Sequence, residues 1–375
     1  MDGKNLRDQD KFRGCLIGGA AGDALGYAVE FMREIRIFFQ YGENGITEYE
    51  LKDGKARISD DTQMTLFTAA GLLVGTTRGM MRGIMGKYSE YILHAYKDWL
   101  KTQERKYPLL DEQHASWLVN VPELVERRAP GNTCLAALRM DVYGTIEEPI
   151  NNSKGCGGVM RVAPIGIYFN GKDVPVQDIA RIGAEAAALT HGHILGWMPA
   201  AALVQIIHEV SQDGVGIREA VKHTLDTVRA MWPETREREY FTVLIEMAVE
   251  LVDEDISDLD AIHKLGEGWV AEETLAIAVY CALKYENDFD RGLIASVNHN
   301  GDSDSTGALT GSILGAKLGL TGIPEKYVKN LELKDVIMEI ADDLYHDCQM
   351  SEYDFEHRDP VWIQKYIEGD YVMRD

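Results

Sequence analysis

Two short clusters, Ser59-Asp60-Asp61-Thr62 and Asp302-Ser303-Asp304-Ser305-Thr306, gather carboxylates and hydroxyls at a spacing that can hold a cation. The first stands directly before an apolar-periodic segment, Met64–Val74, and the second before a run of regularly spaced glycines, so each marks a helix N-terminus. Asp and Ser are ordinary N-caps, and capping alone accounts for either cluster taken singly. Two carboxylates cannot both cap one helix well, however, and the pair of clusters supplies four Asp with flanking hydroxyls. If the two helix starts meet in space, their mutual repulsion requires a cation. All-oxygen ligation suits Mg²⁺, Mn²⁺ or Ca²⁺ rather than Zn²⁺ or copper. Four carboxylates fit two divalent ions sharing a bridging Asp at about 4 Å separation. The run from Asp302 to Gly307 matches the first six positions of a calcium EF-hand, but its twelfth position is Ile313 instead of Glu, which excludes that loop.

Other chemistry-bearing patterns are weaker. No glycine-rich run ends in Gly-Lys-Ser/Thr and no G-x-S-x-G elbow is present, so P-loop and serine-hydrolase readings fall. His191-Gly192-His193 lacks a third His or Cys at metal-ligand spacing, which leaves His191 a polar contact to a ligand or to backbone. The turn Gly155-Cys156-Gly157-Gly158 either exposes successive N–H groups to an anion or is simply a tight structural turn.

The elements that position these groups are helical. Apolar periodicity predicts helices over Thr62–Val74, Ser89–Lys101, Cys134–Met140, Val176–Leu189, Leu195–Val210, Ile217–Met231, Tyr240–Val252, Thr274–Lys284, Thr306–Leu318 and Leu333–Tyr345. Strand candidates are confined to Val159–Phe169 and the neighbourhood of Ile46–Leu51. Loops are expected at Gly42–Ile58, Lys106–Asp111, Arg127–Thr133, Glu147–Gly158 and Asp253–Ile262. Gly14, Gly18, Gly22 and Gly26 recur every four residues, and so do Gly307, Gly311, Gly315 and Gly319. On a helix each set forms one stripe that admits a neighbouring backbone, so two central, closely packed helices are expected. The fold class is all-α. No Pro/Gly/Ser linker divides the chain, and one compact domain over residues 1–375 is expected, its core at about 13–345 and a C-terminal extension at 346–375.

Composition narrows the partners. The 375 residues are 45% hydrophobic and 26% charged, a globular balance, and the net charge of −23 repels nucleic acid and anionic membranes. The most membrane-like stretch, Gly14–Leu25, is broken by Asp23 and is shorter than the roughly 20 apolar residues of a span. The N-terminus lacks the pattern of a signal peptide, and five cysteines without a C-x-x-C pair fit a reducing, cytoplasmic setting.

Gly14–Glu30 (GCLIGGAAGDALGYAVE), Ser59–Thr62 (SDDT), Gly155–Pro164 (GCGGVMRVAP), Leu189-Thr190-His191 and Gly301–Gly307 (GDSDSTG) together resemble the ADP-ribosylglycohydrolase family, in the family's order and across most of the chain. The resemblance implies a compact all-α fold with a binuclear Mg²⁺ or Mn²⁺ centre at the base of a cleft. It implies metal-ligand positions at Ser59, Asp60, Asp61, Asp302, Asp304 and Ser305, with Asp304 bridging, and an acid/base at Glu30 beside the metals and the scissile bond. Gly155, Cys156, Gly157, Gly158 and His191 fall where the family contacts ADP-ribose. Two departures stand out: Cys156 replaces an Asn of many relatives, and Ala129-Pro130-Gly131-Asn132 stands where the dinitrogenase-reductase type has Asp-Ile-Gly-Asn, so a carboxylate proposed as base there is missing. The hydroxyl pattern is closer to the arginine-type hydrolases than to the serine type. The expected activity is metal-dependent hydrolysis of ADP-ribose from a modified acceptor, arginine-linked first, on a protein or a small molecule. The alternatives are an immunity-type protein that binds and neutralises a cognate ADP-ribosyltransferase toxin, and a hydrolase of another ADP-ribose derivative.

Overall fold

A computed structural model of the chain describes residues 7–109, 113–353 and 358–373. Its helices are α1 (Gln9–Tyr27), α2 (Glu34–Tyr41), α3 (Asp60–Arg82), α4 (Tyr88–Glu104), α5 (Asn132–Leu138), α6 (Ala163–Tyr168), α7 (Val176–Ala188), α8 (Ile194–Val210) and α9 (Ile217–Met231). They continue with α10 (Arg236–Leu251), α11 (Asp258–Leu265), α12 (Ala271–Lys284), α13 (Phe289–Val297), α14 (Ser303–Leu318), α15 (Glu325–Val328), α16 (Lys334–His346) and α17 (Pro360–Ile363). A two-stranded antiparallel hairpin, β1 (Leu51–Lys52) with β2 (Lys55–Ala56), is the only sheet among the described residues, so the all-α class holds.

The glycine stripes fold as their spacing predicts, and against each other, except that Gly319 ends α14 at φ 72 instead of continuing its stripe. A Cβ placed on Gly14 would lie 2.3 Å from the Gly315 carbonyl oxygen, on Gly18 2.2 Å from that of Gly311, and on Gly22 1.9 Å from that of Gly307. The partner falls by four as the glycine rises by four, which makes α1 and α14 antiparallel neighbours at backbone contact. Each helical glycine costs about 1 kcal/mol relative to Ala, and the offsetting gain is dispersion between two main chains that no side chain separates. The register has a functional consequence. A Cβ on Gly26 would lie 2.1 Å from the Ser303 carbonyl oxygen, so the end of α1, four residues before Glu30, is pinned to the start of α14, where Asp302 and Asp304 sit.

Around this pair the remaining helices bury one apolar core. Helix α8 is apolar on every face and is buried along nearly its whole length, as such a helix must be. No helix among the described residues is long and apolar enough to cross a membrane. The segment 358–373 packs back on the body: Trp362 Nε1 donates to Thr77 Oγ1 at 2.9 Å and Lys365 Nζ to Asp343 at 2.7 Å.

Several expectations require correction. Val159–Phe169 is not a strand; it follows a 3₁₀ turn at Cys156–Gly158 and becomes α6, with Pro164 in the first turn, where a helix tolerates it. The run is buried throughout and apolar apart from Arg161, so it carries no period to distinguish helix from strand. Ile46–Leu51 is not a strand except at Leu51. The expected loop Asp253–Ile262 becomes helical from Asp258, where Ser257 caps α11 by accepting from Asp260 N. The expected loop Lys106–Asp111 can be followed to Leu109; its last two residues lie outside the described residues. Helix α2 escaped notice because only Ile37 is buried, while Ile35 and Phe39 face solvent and spoil the periodicity.

Candidate active site

The starts of α3 and α14 meet the end of α1 in a cleft of about 310 Å³ lined by Glu30, Asp60, Asp61, Asp302, Asp304 and Ser305. All six are buried. Glu30, Asp302 and Asp304 each bring an oxygen within 4.8 Å of the others. Asp61 joins α3 to α14 by accepting from Ser305 Oγ at 2.8 Å, and Ser305 N donates to Asp304 Oδ1 at 2.9 Å. Asp60 Oδ2 accepts from Gly131 N at 3.2 Å.

Why these aspartates remain available for chemistry follows from a residue that local sequence reasoning missed. Asp23, fully buried in the middle of α1, accepts from Ser59 N through both its oxygens at 3.0 Å and from Thr62 N at 3.1 Å, and also takes the Thr62 hydroxyl. Ser59 Oγ accepts from Asp61 N at 3.1 Å. Asp23 and Ser59 thus satisfy N–H groups at the start of α3, and the Asp60 and Asp61 carboxylates are left to face the cleft. The signal for Asp23 was its charge inside a glycine stripe, which reads only as an interruption until its partners arrive from a segment 36 residues away.

No Lys or Arg forms an ion pair with Glu30, Asp60, Asp61, Asp302 or Asp304 among the described residues. Burial, and then the charge of Asp304, push the carboxyls of Asp60, Asp61 and Asp302 well above the ordinary range. The same two causes raise Glu30 to about 11 and Asp23 to about 7. One Glu30 oxygen, Oε2, is buried without a hydrogen-bond partner among the described residues. Carboxylates at this density cannot all ionise without positive charge among them. The donor set is all oxygen, so the arrangement fits hard divalent cations.

The facing wall is different in kind. His191 and the glycine turn line it, with Cys134, Met160 and the loop Ala129–Thr133. Within the turn, Cys156 N donates to Trp269 O at 3.3 Å and Gly155 N to Ser153 Oγ at 3.4 Å, so two of the N–H groups expected to meet an anion are already engaged. Gly157 is required because a Cβ there would lie 2.9 Å from Cys134 Sγ and 3.1 Å from the His191 ring. Burial, aided by the nearby Arg161 charge, pushes His191 down to about 3, so its ring is neutral. Cys156 bridges the walls: burial raises its thiol, which stays protonated and reaches the Asp302 carboxylate. Two aromatic residues that sequence reasoning did not single out, Phe31 and Trp269, stack at the rim with centroids 6.1 Å apart. His193 lies elsewhere in role, its Nδ1 accepting from Leu195 N to cap α8.

Buried carboxylates from the starts of α3 and α14 and the end of α1 thus face a neutral, glycine-lined wall across one cleft. The family model described as ADP-ribosylglycohydrolase matches residues 4–354, and the chain belongs to that family. It is 25% identical over 360 residues to ADP-ribosylhydrolase ARH3 of Mus musculus, covering 87% of this chain and 88% of that protein. It is 26% identical over 331 residues to ADP-ribosyl-[dinitrogen reductase] glycohydrolase of Rhodospirillum rubrum, covering 87% and 91%. A solved structure titled ADP-ribosylglycohydrolase-related protein complex shares the fold, with a TM-score of 0.58 at 23% identity over 90% of this chain and 98% of that one. Family and relatives together support hydrolysis of ADP-ribose glycosidic linkages.

Proposed function

We propose that this protein reverses mono-ADP-ribosylation by hydrolysing the N-glycosidic bond between ADP-ribose and an arginine side chain of a modified protein. The observation that carries the reading is the convergence of both acidic clusters and Glu30 on one cleft, opposite His191 and the glycine turn. A protein-linked substrate is also in keeping with the Rhodospirillum rubrum relative, whose name gives dinitrogen reductase as its target.

Asp60, Asp61, Asp302 and Asp304, with the hydroxyls of Ser59 and Ser305, would hold two divalent cations, Mg²⁺ or Mn²⁺, which would supply Lewis acidity for ribose hydroxyls and for a water near neutral pH. Asp304 would be the central ligand of that set, because its charge acts on Glu30, Asp23, Asp60, Asp61 and Asp302 alike. Glu30 Oε2, without a partner among the described residues, is the atom that holds and passes the proton to the leaving nitrogen. Carboxylates around the ring stabilise the oxocarbenium-like transition state. The glycine turn and His191 hold the phosphate and ribose oxygens of ADP-ribose, and the protein carrying it stays outside the rim.

The test is release of free ADP-ribose from arginine-, serine- and O-acetyl-linked substrates, with Mg²⁺ or Mn²⁺ and with EDTA as control. Cation-dependent release from the arginine linkage is expected. Release from another linkage alone reassigns the acceptor. No release from any, together with capture of an ADP-ribosyltransferase in a pull-down, replaces the reading with toxin neutralisation.

A further inference from the structure

Arg161 follows the glycine turn and is fully buried, yet no carboxylate pairs with it among the described residues. Its Nη2 donates to Ala186 O at 3.2 Å and to Thr190 Oγ1 at 2.7 Å. Its Nη1 contacts the sulfurs of Met64 at 3.5 Å and Cys134 at 3.4 Å, and the guanidinium lies 4.3 Å from the centroid of the Tyr96 ring. A guanidinium removed from water without a counterion costs several kcal/mol, and an apolar side chain of similar volume fills such a site at lower cost. Packing therefore does not explain Arg161.

The bond to Thr190 does. Arg is a donor only, so it occupies a lone pair of the Thr190 hydroxyl and leaves that hydroxyl its own proton to give. Thr190 Oγ1 lies 2.8 Å from His191 Nδ1 and also reaches the Cys134 sulfur, but sulfur is a weak acceptor beside a bare imidazole nitrogen, so the hydroxyl proton goes to the ring. Nδ1 then accepts, and the single proton of a neutral imidazole sits on Nε2. Nε2 forms no hydrogen bond among the described residues and lies at the turn: Cβ atoms on Gly155 and Gly157 would come within 3.5 and 3.3 Å of it. His191 itself lines the cleft.

We propose that Arg161 is a positioning residue: through the Thr190 hydroxyl it holds His191 as the Nε2–H tautomer, so the ring offers the cleft one fixed hydrogen-bond donor for a phosphate or ribose oxygen. The identity of the ligand rests on the function proposed above; the relay does not. Without Arg161 the Thr190 hydroxyl is free to accept from Nδ1–H, and Nε2 turns from donor to acceptor, which repels an anionic oxygen.

The experiment is long-range ¹H–¹⁵N spectroscopy of the full chain with ¹⁵N-histidine and Mg²⁺ at pH 7, with His191 assigned through His191→Gln, alongside titration with free ADP-ribose. The wild-type protein is expected to show a protonated Nε2 and a bare Nδ1. Arg161→Met and Thr190→Val are expected to populate the Nδ1–H form and to raise the Kd for ADP-ribose about tenfold, the worth of one hydrogen bond. Thr190→Ser is expected to restore both. A wild-type spectrum with Nδ1–H or with an imidazolium overturns the proposal, and it does so even if the variants fail to fold. So do variants that keep the wild-type spectrum, or that change it without changing affinity. A wild-type protein that shows the Nε2–H tautomer but binds no ADP-ribose sinks the functional reading and leaves the relay standing.

Discussion

The two walls of the cleft differ in charge: one is acidic, the other neutral with a buried cation behind it. On one, the starts of α3 and α14 bury carboxylates with which no cation pairs among the described residues; behind the other, Arg161 is a buried cation that meets no anion among them. Neither arrangement is stable for its own sake, since each leaves desolvated charge of one sign. In the proposed reading the contrast is answered by a ligand that is positive where it meets Asp304 and oxygen-rich where it meets His191. A cation-bound ribose carrying a diphosphate answers to both walls at once, whereas an apolar or purely cationic ligand answers to one.

The sharpest way to break the comparison is to disable the acidic wall at its hub. Asp304→Asn is expected to lose at least one divalent ion by elemental analysis and to lower turnover by about 10⁴-fold, since both charge stabilisation and activation of water depend on it. Retention of both ions would show that the ligand assignment is wrong.

Glu30→Gln comes next. The amide keeps the volume and one acceptor oxygen but carries no exchangeable acid proton, so ion content is expected to stay near wild type while turnover falls by about 10²-fold. Near-normal turnover removes Glu30 from proton transfer and leaves it a further oxygen on the acidic wall, consistent with its place beside Asp302 and Asp304.

How much of this was legible beforehand differs between the walls for a physical reason. The acidic wall is built from two local motifs at helix starts, and short acidic runs next to apolar periodicity are readable without knowing the fold. The α1–α14 contact was legible too, because a four-residue glycine period has few uses other than close packing. The opposite wall is assembled from side chains that meet only in three dimensions. Arg161 looks like any Arg after a turn until Thr190 and His191 are brought to it, and Asp23 looks like an interruption until Ser59 and Thr62 arrive. Val159–Phe169 was misjudged for a related reason, since total burial erases the alternation on which the strand reading depends.

Stability against pH separates the walls again, with a smaller effect. Asp23 has a folded pKa raised from 3.8 to about 7, so its contribution is fully present below 3.8 and is lost as pH rises through 7. Glu30 has the same sign. His191 is the reverse: lowered from 6.5 to about 3, it contributes above 6.5 and loses that contribution as pH falls toward 3. A divalent cation compensates only the acidic wall. The difference in unfolding free energy between Mg²⁺ and EDTA is therefore expected to widen from pH 5.5 to pH 8, reaching on the order of 2–3 kcal/mol at a hundredfold excess over Kd. A gap that stays constant or narrows would mean that the carboxylates do not shed protons to the cation.

The smallest effect concerns the loop that joins the walls. Ala129 adopts φ 54, in the left-handed region, directly before Pro130, a neighbour that favours extended backbone instead. Two residues on, Gly131 N holds Asp60 Oδ2, so the bend at Ala129 delivers the N–H that orients an aspartate of the acidic wall. The side chain is exposed, and removing its methyl group sacrifices little packing. Ala129→Gly is expected to relieve the strain and stabilise the fold by about 1 kcal/mol in denaturant titration, after the entropy of the unfolded glycine is set against it. Turnover is expected to stay within about twofold, because Gly reaches the same φ unaided and the hydrogen bond to Asp60 persists. Stabilisation with a clear loss of turnover would instead mean that a stiff bend at position 129 is what keeps Asp60 in place.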